Sequence, residues 1–412
     1  MKYKSPFLHE INSRGFIYQA SDIEDLDLLM TKKYITAYIG FDITSESLHI
    51  GSLVQLMLLN WLDHYGHKTI ALMGGGTTLV GDPSGKDESR KILTPTDINS
   101  NIKQIEKNFN KFINLNKNGR IINNYEWLSD INYINFLREV GSKITINKML
   151  TFESIKNRLD REQALTFLEF NYILLQSYDF YYLNKKYDCK LQLGGSDQWG
   201  NIINGIDLIR RMNNNKTFAI TSPLITNTDG SKMGKTANGA IWLNEKNLSN
   251  YDFYQYWRNT ADQDVPKFLN LFTKLPVSEI KKLSQLRGQE INEAKKILAF
   301  EITKMSRGEK KAKEAEDIST NIFVKATLDD RIKSHSVKLK EIKDSSFSII
   351  DAVERLELAK TRSETKRLID SNGIKVNDKT YKEINFSLSN YASSNEIKIS
   401  IGKKRIGIIK IK

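Results

Sequence analysis

Hydrophobic and polar positions alternate from Tyr34 to Phe41, with Ile35, Ala37, Ile39 and Phe41 on one side and Thr36, Tyr38 and Gly40 on the other. That period of two predicts a strand of about eight residues. Leu53, Leu56, Met57 and Trp61 then recur at helical spacing, so a helix begins close to His49. A second short apolar strand runs from Lys68 to Met73. From about Thr94 to Lys190 the pattern turns mostly helical, with Ile98, Ile102, Ile105, Phe109 and Phe112 on one stripe, interrupted by a short strand at Arg120 to Ile122. A later helix carries Tyr172, Gln176 and Asp179 at i, i+4 and i+7, so these three share one face. Leu191-Gln192-Leu193 forms another strand before Gly194-Gly195-Ser196-Asp197-Gln198. Strands alternating with helices predict an α/β fold: a Rossmann-like parallel sheet with ligands at the strand C-termini.

Beyond Trp242 the pattern changes. Asn250 to Lys274 is aromatic-rich and Ser278 to Ala315 is charged and amphipathic, which predicts an α-helical domain. A polar stretch from Asp329 to Ser346 reads as a linker. From Phe347 a small α+β module follows, with helices through Ile350, Val353 and Leu356 and around Arg362 to Asp370, then strands alternating at Ile397, Ile399 and Ile401. The organisation expected is therefore 1–245 with a helical insertion at about 125–190, then 246–335, a linker at 336–346, and 347–412.

The first strand–helix junction, Tyr38 to Ser52, is where chemistry would sit. Helix N-termini attract phosphate, because their first N–H groups are unpaired and the dipole is positive there. Gly40 and Gly51 leave room for a ligand, and His49 and Ser52 place side-chain donors beside those N–H groups. A capped helix with a surface histidine is the competing reading of this stretch taken alone. Gly81-Asp82-Pro83-Ser84-Gly85-Lys86 has the wrong spacing for a P-loop, and no Gly-x-Gly-x-x-Gly fingerprint occurs. The turn instead places Asp82, which could hold an ammonium group, ahead of Lys86 and Arg90, which could hold phosphates. Asp229 to Thr236 is a glycine-hinged loop with Lys232 and Lys235 three apart, as suits a lid closing over phosphates.

Composition narrows the partners. The net charge is +13, and from Phe347 to Lys412 there are 14 Lys+Arg against 8 Asp+Glu. An anionic polymer, RNA in particular, fits that surplus, beside a general lysine enrichment of the chain. Cys189 is the only cysteine, which rules out an internal disulfide and a cysteine-based zinc site. No apolar run approaches a membrane span, and acidic residues near the start argue against a transit peptide, so a cytoplasmic protein with no membrane partner is expected.

Taken together, Tyr38-x-Gly40-x-Asp42, His49-Ile-Gly51-Ser52, Gly81-Asp82-Pro-Ser-Gly-Lys86, Tyr172-x-x-x-Gln176-x-x-Asp179, Gln192-x-Gly-Gly195-Ser-Asp197-Gln198 and Lys232-Met-Gly-Lys235-Thr236 resemble the bacterial tyrosyl-tRNA synthetases, of class I. The resemblance covers essentially the whole chain, and the tail from Phe347 resembles an S4-type RNA-binding domain. It implies a catalytic domain over 1–245, an anticodon-arm domain over 246–335, and activation of L-tyrosine with ATP before transfer to tRNA(Tyr). Tyr38 and Asp179 would bind the substrate hydroxyl. Asp82, Tyr172 and Gln176 would hold its ammonium group, with Asn124 and Gln192 lining the pocket. Gly40, Asp42, Gly51, Gly195, Asp197 and Gln198 would contact ATP or the adenylate. Thr44, His49, Ser52, Lys86, Arg90, Lys232, Lys235 and Thr236 would meet the phosphates. Magnesium would travel with ATP, with no protein metal site, and a homodimer would form through the region near 125–190. Ser52 departs from the family's usual second histidine, and Ile43 stands where proline often follows the aspartate. Rival readings are another aminoacyl-tRNA ligase or adenylyltransferase on the same fold, and a non-catalytic RNA-binding paralogue.

Overall fold

The computed structural model describes residues 3–82, 93–226, 233–236, 239–324, 333–343, 347–381, 383, 386–392, 394–402 and 405–412. By contacts the chain divides once, into Met1–Lys313 and Glu314–Lys412.

The first unit is built on a six-stranded sheet of β1 (Gln19–Ala20), β2 (Thr36–Asp42), β3 (Lys68–Gly74), β4 (Gly119–Asn123), β5 (Cys189–Gly195) and β6 (Phe218–Ser222), in the order β1-β6-β5-β2-β3-β4. The pairs β2–β3, β2–β5, β3–β4 and β5–β6 are all parallel, and only the short edge strand β1 runs antiparallel. The order reverses between β2 and β5, the place where such sheets open a crevice at their C-terminal ends. The alternation expected for β2 does not translate into one wet face. Thr36 and Tyr38 are buried as fully as Ala37 and Ile39, because a central parallel strand is covered on both sides. Gly40 alone within β2 is exposed.

The helix Leu53–His64 follows β2 through a 3₁₀ turn at Ile50–Ser52. Helices are started by local chemistry: Thr94 and Asp97 form a reciprocal capping box ahead of Pro95–Phe109, and Thr166 with Glu169 does the same for Phe167–Tyr187. That last helix ends on Asp188 in a left-handed conformation (φ 49°). Between β4 and β5 the chain also makes four short helices, Tyr125–Leu128, Tyr133–Glu139, Ile146–Met149 and Glu153–Asp160.

The helices Asn250–Arg258, Val265–Phe272, Val277–Leu283 and Ile291–Arg307 belong to the same compact unit rather than standing apart from it. One fastening is Arg14, which is 4% exposed. It donates to the carbonyls of Asn270, Thr273 and Leu275 while its guanidinium lies 4.4 Å from the Trp61 ring centroid. Among the described residues no helix is long and apolar enough to cross a membrane.

The second unit holds a five-stranded sheet of β9 (Lys333–Val337), β10 (Ile374–Val376), β11 (Lys379–Thr380), β12 (Glu396–Ile401) and β13 (Arg405–Ile411), with β7 (Lys235–Thr236) and β8 (Gly239–Ala240) pairing separately in the first unit. The helices Ile349–Arg355 and Arg362–Asp370 fall where the apolar spacing placed them. The linker expected at 336–346 is not one over its described part. β9 pairs parallel with β13 from Lys333 to Val337, and the helix Leu339–Lys343 follows directly. Val337 and Ile342 are buried in the same core as Ile349, Val353, Ile397 and Ile399. The module therefore begins before Phe347. Its first strand lies at the sheet edge, so only Val337 of the five residues had to be both apolar and buried.

Candidate active site

A cavity of about 320 Å³ opens at the C-terminal ends of β2 and β5, where the strand order reverses. β2 contributes Tyr38, Gly40 and Asp42, and β5 contributes Gln192 and Gly195. The helix Phe167–Tyr187 turns Tyr172, Gln176 and Asp179 into it from a single face, and Asp82, Asn124, Asp197 and Gln198 come from segments that follow strands. His49, Gly51 and Ser52 line it from the turn after β2. Residues from six separate stretches of sequence thus meet at one place.

The cavity has a buried end. Tyr38, Asn124, Asp179 and Gln192 are each 3% exposed or less. Both carboxylate oxygens of Asp179 accept hydrogen bonds, Oδ1 from Trp127 Nε1 (2.8 Å) and Oδ2 from Asn124 Nδ2 (2.9 Å). Asn124 is itself fixed, because its Oδ1 accepts from the Gly76 N–H at 2.7 Å. Burial pushes the Asp179 carboxyl up to about 7, against the pull of those two donors, and the charge of Asp42 adds to the rise. Burial, with Asp179 next, also holds the Tyr38 phenol well above its ordinary value. Among the described side chains that line the cavity, the Tyr38 hydroxyl and Gln192 Oε1 are buried without a hydrogen-bond partner. Their place in the cavity lining marks where a polar ligand group would fit.

Further out the polar side chains form two sets of bonds. Tyr172 and Thr77 donate to Asp42 Oδ1 (3.2 and 3.3 Å), and Gln198 Nε2 donates to Asp82 Oδ2 at 2.9 Å. Asn201 Nδ2 donates to both Gln176 Oε1 (2.9 Å) and Gln198 Oε1 (3.2 Å). These bonds fix the acceptors' directions before any ligand arrives.

At the open end the Gly51 N–H donates to His49 Nδ1 at 2.9 Å, which leaves Nε2 as the donor nitrogen of the neutral ring. A Cβ on Gly51 would stand 2.5 Å from His49 Cε1, so only glycine lets the imidazole fold over the backbone there. The Met233–Gly234 segment lies against the same turn: Gly234 has φ +92°, and a Cβ there would come within 3.1 Å of Ile50 Cγ1. The two glycine-bearing motifs, nearly two hundred residues apart in sequence, are neighbours in space.

Thr44 is exposed and does not line the cavity. Lys86, Arg90 and Lys232 lie outside the described residues. Lys235 and Thr236 form β7, which pairs antiparallel with β8. Three contributors were not singled out from sequence. Trp127 and Thr77 sit on four-residue helices too short to show a period, and Gln55 lies among apolar residues in the first turn of Leu53–His64. Gln55 Nε2 donates to Ser222 Oγ at 3.2 Å and lies beside Gly195.

The family model for class I tRNA synthetases (W and Y) matches residues 30–324. The chain is 50% identical over 411 residues to the tyrosine–tRNA ligase of Wolbachia pipientis subsp. Culex pipiens, covering 98% of this chain and 97% of that one. It is 48% identical over 413 residues to the tyrosine–tRNA ligase of Brucella abortus, with 99% of each chain covered. Among solved structures, a C-terminally truncated Aspergillus nidulans mitochondrial tyrosyl-tRNA synthetase superposes with a TM-score of 0.70 at 29% identity, covering 78% of this chain and 94% of that one.

Proposed function

The chain belongs to the class I tRNA synthetases of the tryptophan and tyrosine family, and from that premise we propose that it is a tyrosine–tRNA ligase. The observation that carries the choice of amino acid is the buried end of the cavity, where Tyr38 Oη lacks a partner close to the fixed carboxylate of Asp179. A phenol can donate to the carboxylate and accept from the Tyr38 hydroxyl at once. A phenyl ring leaves both groups unpaired, at about 1–3 kcal/mol for each buried polar group. An indole N–H could serve Asp179 but offers Tyr38 no acceptor. The relatives named tyrosine–tRNA ligase support the same reading at 48–50% identity.

In the first step the tyrosine carboxylate attacks the α-phosphorus of ATP in line, forming tyrosyl-adenylate and releasing pyrophosphate. In the second, a hydroxyl of the 3′-terminal adenosine of tRNA(Tyr) takes the tyrosyl group and AMP leaves. The nucleophile comes from a substrate each time, so the protein's work is positioning and stabilisation of charge growing on the phosphates. Asp82, Tyr172 and Gln176 hold the substrate ammonium, and Asn124 and Gln192 shape the pocket. Gly40, Asp42, Gly195, Asp197 and Gln198 receive the adenosine side. His49 Nε2–H and Ser52 face the phosphates beside Gly51, with Lys86, Arg90, Lys232, Lys235 and Thr236 completing the anion site, while Thr44 stays outside the cavity. The cavity carboxylates already accept bonds from protein donors: Asp42 from Thr77 and Tyr172, Asp82 from Gln198, and Asp179 from Asn124 and Trp127. That donor set suits a magnesium ion held by ATP phosphates and water rather than by a protein cage.

Residues 1–245 form the catalytic region, the helices between 246 and 324 the anticodon arm, and the basic module whose sheet begins at Lys333 grips tRNA in the cytoplasm. A homodimer is supported by large apolar side chains exposed between 125 and 168, among them Tyr133, Ile134, Ile146 and Phe167, each more than half exposed. Tyrosine-dependent exchange of pyrophosphate into ATP tests the reading. Exchange with tyrosine but not with tryptophan or phenylalanine supports it, and exchange with tryptophan, or none with any of the three, overturns it.

A further inference from the structure

We propose that Arg307 is a positioning residue for ATP, setting the spacing between the His49–Ser52 turn and the Met233–Lys235 segment through a strap at Ile241–Leu243. The inference rests on the reading that those two segments meet the nucleotide. The strap runs between them. On one side the Ile50 N–H donates to the Ile241 carbonyl (3.0 Å), the Leu243 N–H donates to the Leu48 carbonyl (2.9 Å), and Trp242 bridges to His49. On the other the Ile241 N–H donates to the Gly234 carbonyl at 3.0 Å. The rings of Trp242 and His49 also meet edge to face, 6.4 Å between centroids.

What fixes the strap from behind is one side chain. Arg307 ends the helix Ile291–Arg307 and is 4% exposed. Its Nη2 donates to the Trp242 carbonyl (3.0 Å), and its Nη1 donates to the Leu248 carbonyl (2.7 Å) and Asn250 Oδ1 (3.0 Å). Its plane lies 4.2 Å from the Phe253 ring centroid. Among the described residues no carboxylate forms an ion pair with it, so the guanidinium is spent on two backbone carbonyls and the Asn250 side chain. Burial lowers its pKa only to about 10, which leaves it charged at neutral pH. A planar fork with two donor arms can hold two points of chain at a fixed separation, and an ammonium cannot. Lys311, one turn further on, binds both oxygens of Glu245 (2.7 and 2.6 Å) and so secures the same stretch a second time. The strap is thus a short segment hydrogen-bonded to one motif on each side and anchored from behind.

The test compares Arg307→Met and Arg307→Lys with wild type in the full chain, by pyrophosphate exchange normalised to active sites counted from the adenylate burst. A displaced phosphate site predicts kcat/KM for ATP lower by about 10- to 100-fold in Arg307→Met, the scale set by a displacement of an ångström or less. The KM for tyrosine stays within about twofold, since the phenol end is held by other elements, and Arg307→Lys recovers part of the loss. Per-site kinetics equal to wild type, or ATP and tyrosine constants worsening together, overturn the proposal. Should neither variant accumulate as folded protein, Asn250→Ala removes one arm's side-chain acceptor alone. It is then expected to lower kcat/KM for ATP by about threefold, and an unchanged value in a folded protein overturns the proposal. Exchange by the wild type tests the underlying activity separately, so failure of either claim is recognisable.

Discussion

Trp127 Nε1 donates to Asp179 Oδ1 at 2.8 Å across 52 residues of sequence, from a four-residue helix that only tertiary packing holds in place. The indole is also stacked on Tyr182, with 4.2 Å between ring centroids. It thereby supports a carboxylate that burial would otherwise drive further toward its neutral form. The ionised form of Asp179 is the one that accepts the substrate phenol. The KM for tyrosine is then expected to rise as pH falls through about 7. Trp127→Phe keeps the stacking and removes the donor. It should move that rise to higher pH and raise KM about tenfold at pH 7.5, as loss of one hydrogen bond to a charged group implies. Tyrosine KM measured from pH 6 to 9 in both proteins checks this.

Gly51→Ala places a Cβ 2.5 Å from His49 Cε1. The obstructed atom belongs to a side chain, so the fold should survive while the imidazole is displaced. Exchange activity is expected to fall about 10- to 100-fold with little change in melting temperature. Lys235→Ala is expected to lose on the order of 10²–10³ in the activation rate, the scale for one transition-state donor. Single-turnover adenylate formation measures both.

His67 is 3% exposed and accepts from the Ile35 N–H through Nδ1 at 3.2 Å, and burial pulls its pKa from 6.5 to about 4. Between those values the unfolded chain binds a proton that the folded chain does not. Its contribution is therefore intact above about pH 6.5 and is lost progressively as pH falls toward 4. The loss should reach on the order of 2 kcal/mol at pH 5. His67→Asn keeps an acceptor but cannot titrate. Urea unfolding at pH 7 and pH 5 should show a smaller drop for the variant than for wild type.

The second unit's sheet begins at Lys333, so where the chain is cut matters. Truncation after Val324 should leave tyrosine-dependent exchange near wild type and cripple charging of tRNA(Tyr). Truncation after Ser346 should also spare exchange but strand β9 without β13, exposing Val337 and Ile342 and lowering solubility. Exchange and charging rates, with sedimentation of both fragments, check this.

Much of the fold and site was legible because local rules and global packing agree. Tyr172, Gln176 and Asp179 follow helical spacing, and the helix does present them together. The segments flanking β2 and β5 carry glycines where backbone meets the cavity. What escaped was held by contacts distant in sequence. Trp127 reaches Asp179, Gln55 reaches Ser222 and Arg307 reaches Trp242, and none of these pairings leaves a local period. The strand Lys333–Val337 escaped for another reason. An edge strand exposed along most of its length needs few apolar residues, so its sequence resembles a polar connector.

The proposed activity requires a phenol at the buried end of the cavity and a nucleotide at the His49 end. A crystal structure with tyrosine and a non-hydrolysable ATP analogue tests it most directly. The phenol oxygen is expected within about 2.6–3.2 Å of both Tyr38 Oη and an Asp179 carboxylate oxygen, with phosphates beside His49 Nε2 and Ser52. Phosphates at Asp179, or tyrosine bound away from Tyr38, would contradict it.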